Sequence, residues 1–306
     1  MTPDAGSRTL LCIGETMAMV TSRAGDPVED ADDFRVEAGG AESNVAGHVA
    51  ARGHRARWFS RLGDDALGRR VLRRVAERGV DVSAVRFDAD HPTGLYVKDP
   101  GRGVVYYRRG SAASFLDAAD ADALSWEGVD LVHVSGITAA LSASCARFLD
   151  RVMTRARAAG VPVSFDVNHR PALWSAADAG PVLRAAAVQA DVVFVGRDEA
   201  ETLWGTGTAE EIRALLPAVP ELVIKDADVR ATAFVGAERV DAPALRVEVV
   251  EPVGAGDAFA GGYLAERLSG SPVRARLEAG HARAALVLRT TGDTVEDDAP
   301  TRGGAE

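Results

Sequence analysis

The chain has 306 residues, 47% of them hydrophobic and 26% charged, with a formal net charge of −10; at about 150 residues per domain this is one large domain or two ordinary ones. Of its 35 basic residues all but Lys98 and Lys225 are arginine, and Val97 and Ile224 precede those two lysines, which excludes a P-loop of the GxxxxGK[ST] form. The acidic balance argues against a nucleic-acid partner. Cys12 and Cys145 are too few for a disulfide scaffold and suit the cytoplasm, and with neither an apolar signal core nor a run of roughly 18 apolar residues no membrane span is expected.

In chain order, short β-branched runs alternate with longer helical patterns. Strands are predicted at Thr9–Ile13, Arg57–Ser60, Leu131–Val134, Val163–Asp166, Val192–Val195, Leu222–Lys225 and Arg246–Val250. Helices are predicted at Glu42–Arg52, Ala66–Arg78, Ser142–Ala158, Gly180–Ala187, Asp198–Leu203, Ala209–Leu216, Asp257–Leu268 and Pro272–Leu288. Apolar strands separated by helices of this length predict an α/β fold with a parallel sheet covered on both faces. Two segments, about 16–37 and 93–109, instead read as short strands joined by turns, with no helix inside them. They predict a small β-sheet lid near the C-terminal strand ends, where open α/β sheets bind ligands. The ends, 1–7 and about 296–306, are acidic or rich in small residues, a composition expected of disordered tails.

The sharpest local feature is Glu251-Pro252-Val253-Gly254-Ala255-Gly256-Asp257, where an apolar run passes through small residues into a helix. Free N–H groups and the positive end of the helix dipole make such a turn an anion site that needs no lysine. Phe259 stands where a GxGxxG fingerprint needs its third glycine, so a dinucleotide site is not predicted. Asp257 reads in two ways, as an aspartate complementing the dipole or as a base taking a hydroxyl proton in phosphoryl transfer. The helix dipole would keep it ionised and a weak base. Earlier in the chain, Gly39-Gly40-Ala41-Glu42-Ser43-Asn44 is either a capped strand-to-helix turn or a place where backbone and Asn44 bind a polyol.

Gly39-Gly40-Ala41-x-x-Asn44, Gly63-Asp64-Asp65-x-x-Gly68 and Gly254-Ala255-Gly256-Asp257 stand in the order and spacing of the ribokinase-like (PfkB) carbohydrate kinases, which the chain resembles from about Leu10 to Thr294. The resemblance implies a ribokinase-like three-layer α/β/α sandwich with a lid over residues 8–295. It also implies transfer of the γ-phosphate of ATP, with Mg²⁺, to a sugar hydroxyl. Asp257 then matches the catalytic base, and the amides of Gly254, Ala255 and Gly256 match the anion hole. Lys225, Gly254, Gly256 and His281 would meet the nucleotide, and Glu199 a water-mediated magnesium ion.

Within the family, Thr93-Gly94-Leu95-Tyr96, Tyr106-Tyr107-Arg108-Arg109-Gly110-Ser111-Ala112-Ala113-Ser114 and Asp166-Val167-Asn168-His169-Arg170 are similar to the 2-keto-3-deoxygluconate kinases. That likeness places Gly40, Asn44, Tyr96, Tyr106, Arg108, Asn168 and Arg170, with Asp257, around a sugar acid. Two arginines in ligand-facing segments suit a carboxylate, which a guanidinium fork holds in two bonds. Each also has a plainer reading: arginines are commonly solvated, the tyrosines can be lid packing, and Asp166-x-Asn168 can be a turn. The chain departs from the family's Lys-x-Gly-x-x-Gly at Ala227 and Arg230, from its Asn-x-x-Glu at Gly196, and from its Asp-Thr at Glu251-Pro252. A kinase of a neutral sugar such as fructose or ribose, or a non-catalytic sugar-binding relative, remain competing expectations, and a homo-oligomer is expected through the lid.

Overall fold

A computed structural model describes residues 7–290 of the protein. Its frame is a nine-stranded sheet built on β1 (Thr9–Ile13). On one side β1 pairs with β4 (Arg55–Phe59), which pairs with β6 (Val80–Asp81); on the other it pairs with β10 (Leu131–Ser135). β11 (Val163–Asp166), β12 (Val192–Gly196) and β13 (Glu221–Asp226) follow outward, all parallel. Two antiparallel strands, β14 (Arg230–Val235) and β15 (Glu238–Pro243), complete that edge.

The strands are buried on both faces, and their alternation shows it. Leu11 and Ile13 of β1 join one core while Leu10 and Cys12 join the other; Val193 and Val195 of β12 oppose Val192 and Phe194 in the same way. The first core is covered by α3 (Ala118–Asp122), α4 (Gly136–Leu141), α5 (Ala143–Ala158), α6 (Ala176–Ala187), α7 (Arg197–Trp204) and α8 (Ala209–Leu215). The second is covered by α1 (Ala41–Ala51), α2 (Ala66–Glu77), α9 (Ala255–Leu268) and α10 (Val273–Leu288). This is a three-layer α/β/α sandwich.

A four-stranded sheet of β3 (Phe34–Gly39), β2 (Met17–Ser22), β8 (Leu95–Asp99) and β9 (Gly103–Tyr107), in that order, forms the lid. β2 and β8 run parallel, the outer pairs antiparallel, around a small core of Met17, Met19 and Tyr96. A two-stranded ribbon, β5 (Arg61–Gly63) with β7 (Arg86–Asp88), accompanies it.

Two expectations are corrected. The predicted strand Arg246–Val250 does not form: it pairs with no sheet, and Val249 and Val250 are more than half exposed. The β14–β15 hairpin, closed by a turn at Gly236 at a small entropic cost, takes the edge beside β13, and none of residues 246–250 is buried against the sheet. The helix read as starting at Gly180 starts at Ala176, because the Ser175 hydroxyl accepts from the Asp178 N–H and caps it, and Pro181 is carried within. The expected tails lie outside the described residues, apart from Ser7.

α9 is wedged between two neighbours by adjacent glycines. A Cβ on Gly261 would lie 2.5 Å from the Cβ of His48 on α1, and one on Gly262 would lie 2.5 Å from the Ala279 carbonyl on α10. Gly262→Ala should therefore lower the free energy of unfolding by about 1–3 kcal/mol through overpacking, measured by urea denaturation. An unchanged midpoint would show that the two helices separate freely.

Candidate active site

The chain leaves β1 toward one side of the sheet and later returns to β10 on the other. The crevice at the C-terminal ends of these strands is the topological switch point where α/β sheets bind ligands. Five carboxylates gather along these strand ends: Glu15 after β1, Glu42 on α1, Asp166 closing β11, Glu199 on α7 and Asp257 on α9. A cleft of about 530 Å³ opens beside them, lined among others by Tyr106, Asp166, Asn168, Arg170, Glu199, Lys225, Gly254, Gly256 and Asp257.

Asp257 stands in the first turn of α9, whose N-cap Gly254 has φ of 87°, a conformation only glycine adopts at little cost. One carboxylate oxygen, Oδ2, accepts a hydrogen bond from Asn44 Nδ2 at 2.9 Å, tying α1 to α9. Enclosure by protein pushes the Asp257 carboxyl up to about 6; the Asn44 bond and the Arg170 charge oppose that rise, and Asp166 adds to it. The expectation of a weak base is thereby corrected: desolvation outweighs the dipole and strengthens the carboxylate's hold on a proton, while it stays mostly ionised near neutral pH. Asn44 is itself buried and accepts at Oδ1 from Arg78 Nη1 at 3.3 Å. Gly40 serves this packing, since a Cβ there would stand 2.4 Å from the Glu15 carbonyl oxygen.

Lys225 closes the floor of the cleft. Its Nζ donates to Asp166 Oδ2 at 2.8 Å, and a Cβ on Gly256 would lie 3.7 Å from it. Burial works against its charge, but Asp166 and Glu199 outweigh that and hold the ammonium above the usual lysine range. Glu199 accepts from the Gly196 N–H at 3.0 Å and from the His169 N–H, and burial with the Asp166 charge pushes its carboxyl up. The other Asp166 oxygen, Oδ1, is buried with no hydrogen-bond partner among the described residues. An orphaned carboxylate oxygen beside Glu199 suits a hydrated divalent cation that keeps most of its own waters. Among the described residues no group of three His, Cys, Asp or Glu forms a protein-only metal cage.

The sugar-side residues divide. Asn168 (φ 44°) and Arg170 line the cleft, with Arg170 exposed into it, and Tyr106 reaches it from β9. Tyr96 is buried in the lid core with its ring 5.7 Å from that of Tyr106. Arg108 stacks over Tyr106 at 5.7 Å but donates through Nε and Nη2 to Glu15, whose other oxygen accepts from Ser111 at 2.5 Å. Its fork is therefore already engaged, and it does not line the cleft. His281 also lies off the cleft, buried edge-on to Phe259 with Nε2 3.1 Å from the Ala242 carbonyl. In the loop after β13, Ala227 has φ of 41°, so a turn suited to glycine is kept without one.

Sequence reasoning missed Glu15, Glu42, Arg78 and Lys98. Glu42 is fully buried; enclosure lifts its carboxyl to about 7, and the Asp257 charge adds to that, against the Ser135 hydroxyl bond at 2.6 Å and the Arg108 charge. Lys98 brings its ammonium from lid strand β8 to 3.9 Å from Glu251, which accepts from the Val253 N–H at 3.1 Å and shapes the turn before α9. Position was the available signal: Glu15 lies two residues past the first strand, and Glu42 lies within the Gly-Gly-x-x-x-Asn run.

Comparison with known proteins agrees with this geometry. The model of the pfkB family carbohydrate kinases matches residues 7–301. A 2-dehydro-3-deoxygluconokinase of Bacillus subtilis is 37% identical over 298 residues, covering 94% of this chain and 91% of that protein. One from Thermoproteus tenax is 34% identical, covering 93% and 90%. The crystal structure of the 2-dehydro-3-deoxygluconokinase of Thermotoga maritima superposes with a TM-score of 0.85 at 26% identity, over 94% of this chain and 95% of that one. A lysine-free anion turn, a half-held aspartate and a sandwich with a β-lid thus meet in one chain, which belongs to the pfkB family of carbohydrate kinases.

Proposed function

We propose that the protein phosphorylates the terminal hydroxyl of 2-keto-3-deoxygluconate with ATP and Mg²⁺, giving 2-keto-3-deoxy-6-phosphogluconate. The observation that carries the chemistry is Asp257 at the cleft, with Oδ2 held by Asn44 and Oδ1 left for a hydroxyl. The sugar O–H proton passes to the Asp257 carboxylate, the sugar oxygen bonds to the γ-phosphorus, and the bond from that phosphorus to the β-phosphate oxygen breaks to release ADP. The first-turn amides of Gly254, Ala255 and Gly256 and the Lys225 ammonium face the charge that develops on the transferring group. Asp166 and Glu199 would hold the magnesium ion through its waters, and the ion would neutralise phosphate charge. Arg170 takes the substrate carboxylate, with Tyr106, Asn168 and Asn44 shaping the sugar pocket. Arg108 does not meet the substrate directly; paired with Glu15, it stacks over Tyr106 and holds that ring at the cleft.

Identity with two kinases of this sugar acid supports the choice of substrate. The exposed edge of β9, where Tyr107 is 62% accessible, suits the lid-to-lid contact of a homo-oligomer. Two buried, unpaired cysteines suit a cytoplasmic setting. Among the described residues no helix is long and apolar enough to cross a membrane.

ADP release, coupled to a reporter, is to be measured with MgATP against keto-deoxy sugar acids, neutral sugars and nucleosides. Turnover restricted to the acids is expected. Release with neutral sugars alone would replace this reading with a fructose- or ribose-type kinase, and none with any substrate would leave a sugar-binding protein. Arg170→Ala should raise KM for the acid roughly 10- to 100-fold, the worth of a charge-assisted bond, while leaving KM for ATP near its wild-type value.

Asp257→Asn should lower kcat at least about 10²-fold, and wild-type kcat/KM should fall on the acid side of about pH 6. The stability effect has the opposite sign. Because the folded carboxyl binds its proton more tightly than the unfolded one, its ionisation destabilises the fold as pH rises from about 4 through 6. Asp257→Asn should therefore melt higher than wild type at pH 8, with the gap closing at pH 4. Equal melting temperatures at pH 8 would show an unstrained carboxylate.

A further inference from the structure

A primary amide can present either end to a neighbour, and only one end of Asn44 helps Asp257. With Nδ2 forward it donates to the carboxylate; with Oδ1 forward it would set oxygen against oxygen. We propose that Arg78 is a positioning residue for phosphoryl transfer, fixing the Asn44 amide so that its N–H faces the base. This rests on the reading of Asp257 as that base.

The geometry is specific. Arg78 follows directly on α2, and its side chain crosses to α1, where Nη1 donates to Asn44 Oδ1 at 3.3 Å and Nη2 to the Ala38 carbonyl at 2.6 Å. A guanidinium has no acceptor, so the Asn44 oxygen is drawn to it and the nitrogen is left for Asp257 Oδ2 at 2.9 Å. The stem passes the backbone of α1 at Gly47, where a Cβ would lie 3.4 Å from Arg78 Cδ. A fork holding the end of β3 with one arm and Asn44 with the other sets the amide relative to the Gly39-Gly40 turn. Lysine, a single point donor, cannot reproduce both bonds at once.

The consequence reaches Asp257 through one hydrogen bond, not through direct contact. Once Arg78 is lost, the Asn44 amide is free to turn, and a carboxylate that loses its donor binds its proton more tightly. The charged groups acting on Asp257 from the other elements are Arg170 and Asp166, Lys225 on β13 and, on α1, Glu42; none of these changes in an Arg78 variant.

The test compares Arg78→Leu, Arg78→Lys, Asn44→Ala, Asp257→Asn and the Arg78→Leu/Asn44→Ala double variant in the full-length enzyme. Its readouts are kcat, both KM values, the pH dependence of kcat and the melting temperature. Arg78→Leu should lower kcat about tenfold, one lost hydrogen bond's worth, and move the acid limb to higher pH. KM for ATP should hold, and Arg78→Lys should recover only part of the loss. In the Asn44→Ala background the same change should cost less than about twofold, since the path is already cut.

Equal losses with and without Asn44, or a fall in melting temperature with an unmoved acid limb, would make Arg78 purely structural. If Asp257→Asn retained wild-type kcat, the base assignment itself would fail. If Asp257→Asn is inactive while Arg78→Leu turns over normally, only the positioning role is overturned.

Discussion

Charge balance at the C-terminal edge of the sheet is the constraint on which the site depends. Glu15, Glu42, Asp166, Glu199 and Asp257 converge there, and isolated carboxylates are costly to bury. The chain answers with a cation or donors for each: Arg108 and Ser111 for Glu15, Ser135 for Glu42, Lys225 for Asp166, backbone N–H groups for Glu199, and Asn44 with Arg170 for Asp257. The pairing stays incomplete on purpose-sized scales. Glu42 and Asp257 are left with carboxyls near 7 and 6, and Asp166 keeps one oxygen without a partner among the described residues. A site fully neutralised by its own side chains would have nothing to offer a metal ion, a hydroxyl proton or a polyanion.

That arrangement explains why the fold and the chemistry are hard to separate. The bond from Asn44 to Asp257 is both a helix-to-helix contact and, on the proposed function, the orientation of the base, because α1 and α9 must pack closely for it to form. Adjacent Gly261 and Gly262, little more than one turn further along α9, permit that packing. A protein near neutral pH thus carries an ionised carboxylate it would be more stable without. Stability given up at a reacting group is a recurrent feature of enzymes.

Much of this was legible in the residues and some was not, for physical reasons. Central strands such as Val192–Val195 are apolar runs bounded by polar turns, so their burial on both faces is written locally. The Gly254–Asp257 turn is equally local: small residues followed by a helix. Pairings across long separations are not. Arg108 and Glu15 are 93 residues apart, and nothing near Arg108 says that its fork is occupied. The shift of Asp257 also depends on enclosure by distant elements, so the helix dipole, which is local, pointed the wrong way. Arg246–Val250 did not become a strand because none of its residues finds a core to bury against, a condition set by distant elements and not by its own apolar composition.

The two lysines show what side-chain shape adds to charge. In a chain that otherwise uses arginine, one lies at the cleft and the other at the turn leading into it: Lys225 against Asp166 and the first turn of α9, Lys98 near Glu251. An ammonium is compact and its three donors rotate, so Lys225 can serve Asp166 while it approaches Gly256 without forcing the backbone aside. A guanidinium on the same strand would need a flat slot where the glycine turn of α9 now closes in. Arginine is used where a planar fork is wanted, as at Arg78, which spans the Ala38 carbonyl and the Asn44 amide. The scarcity of lysine therefore excludes a P-loop, and in the folded chain both lysines lie where a compact ammonium meets a carboxylate, Lys225 against Asp166 and Lys98 near Glu251.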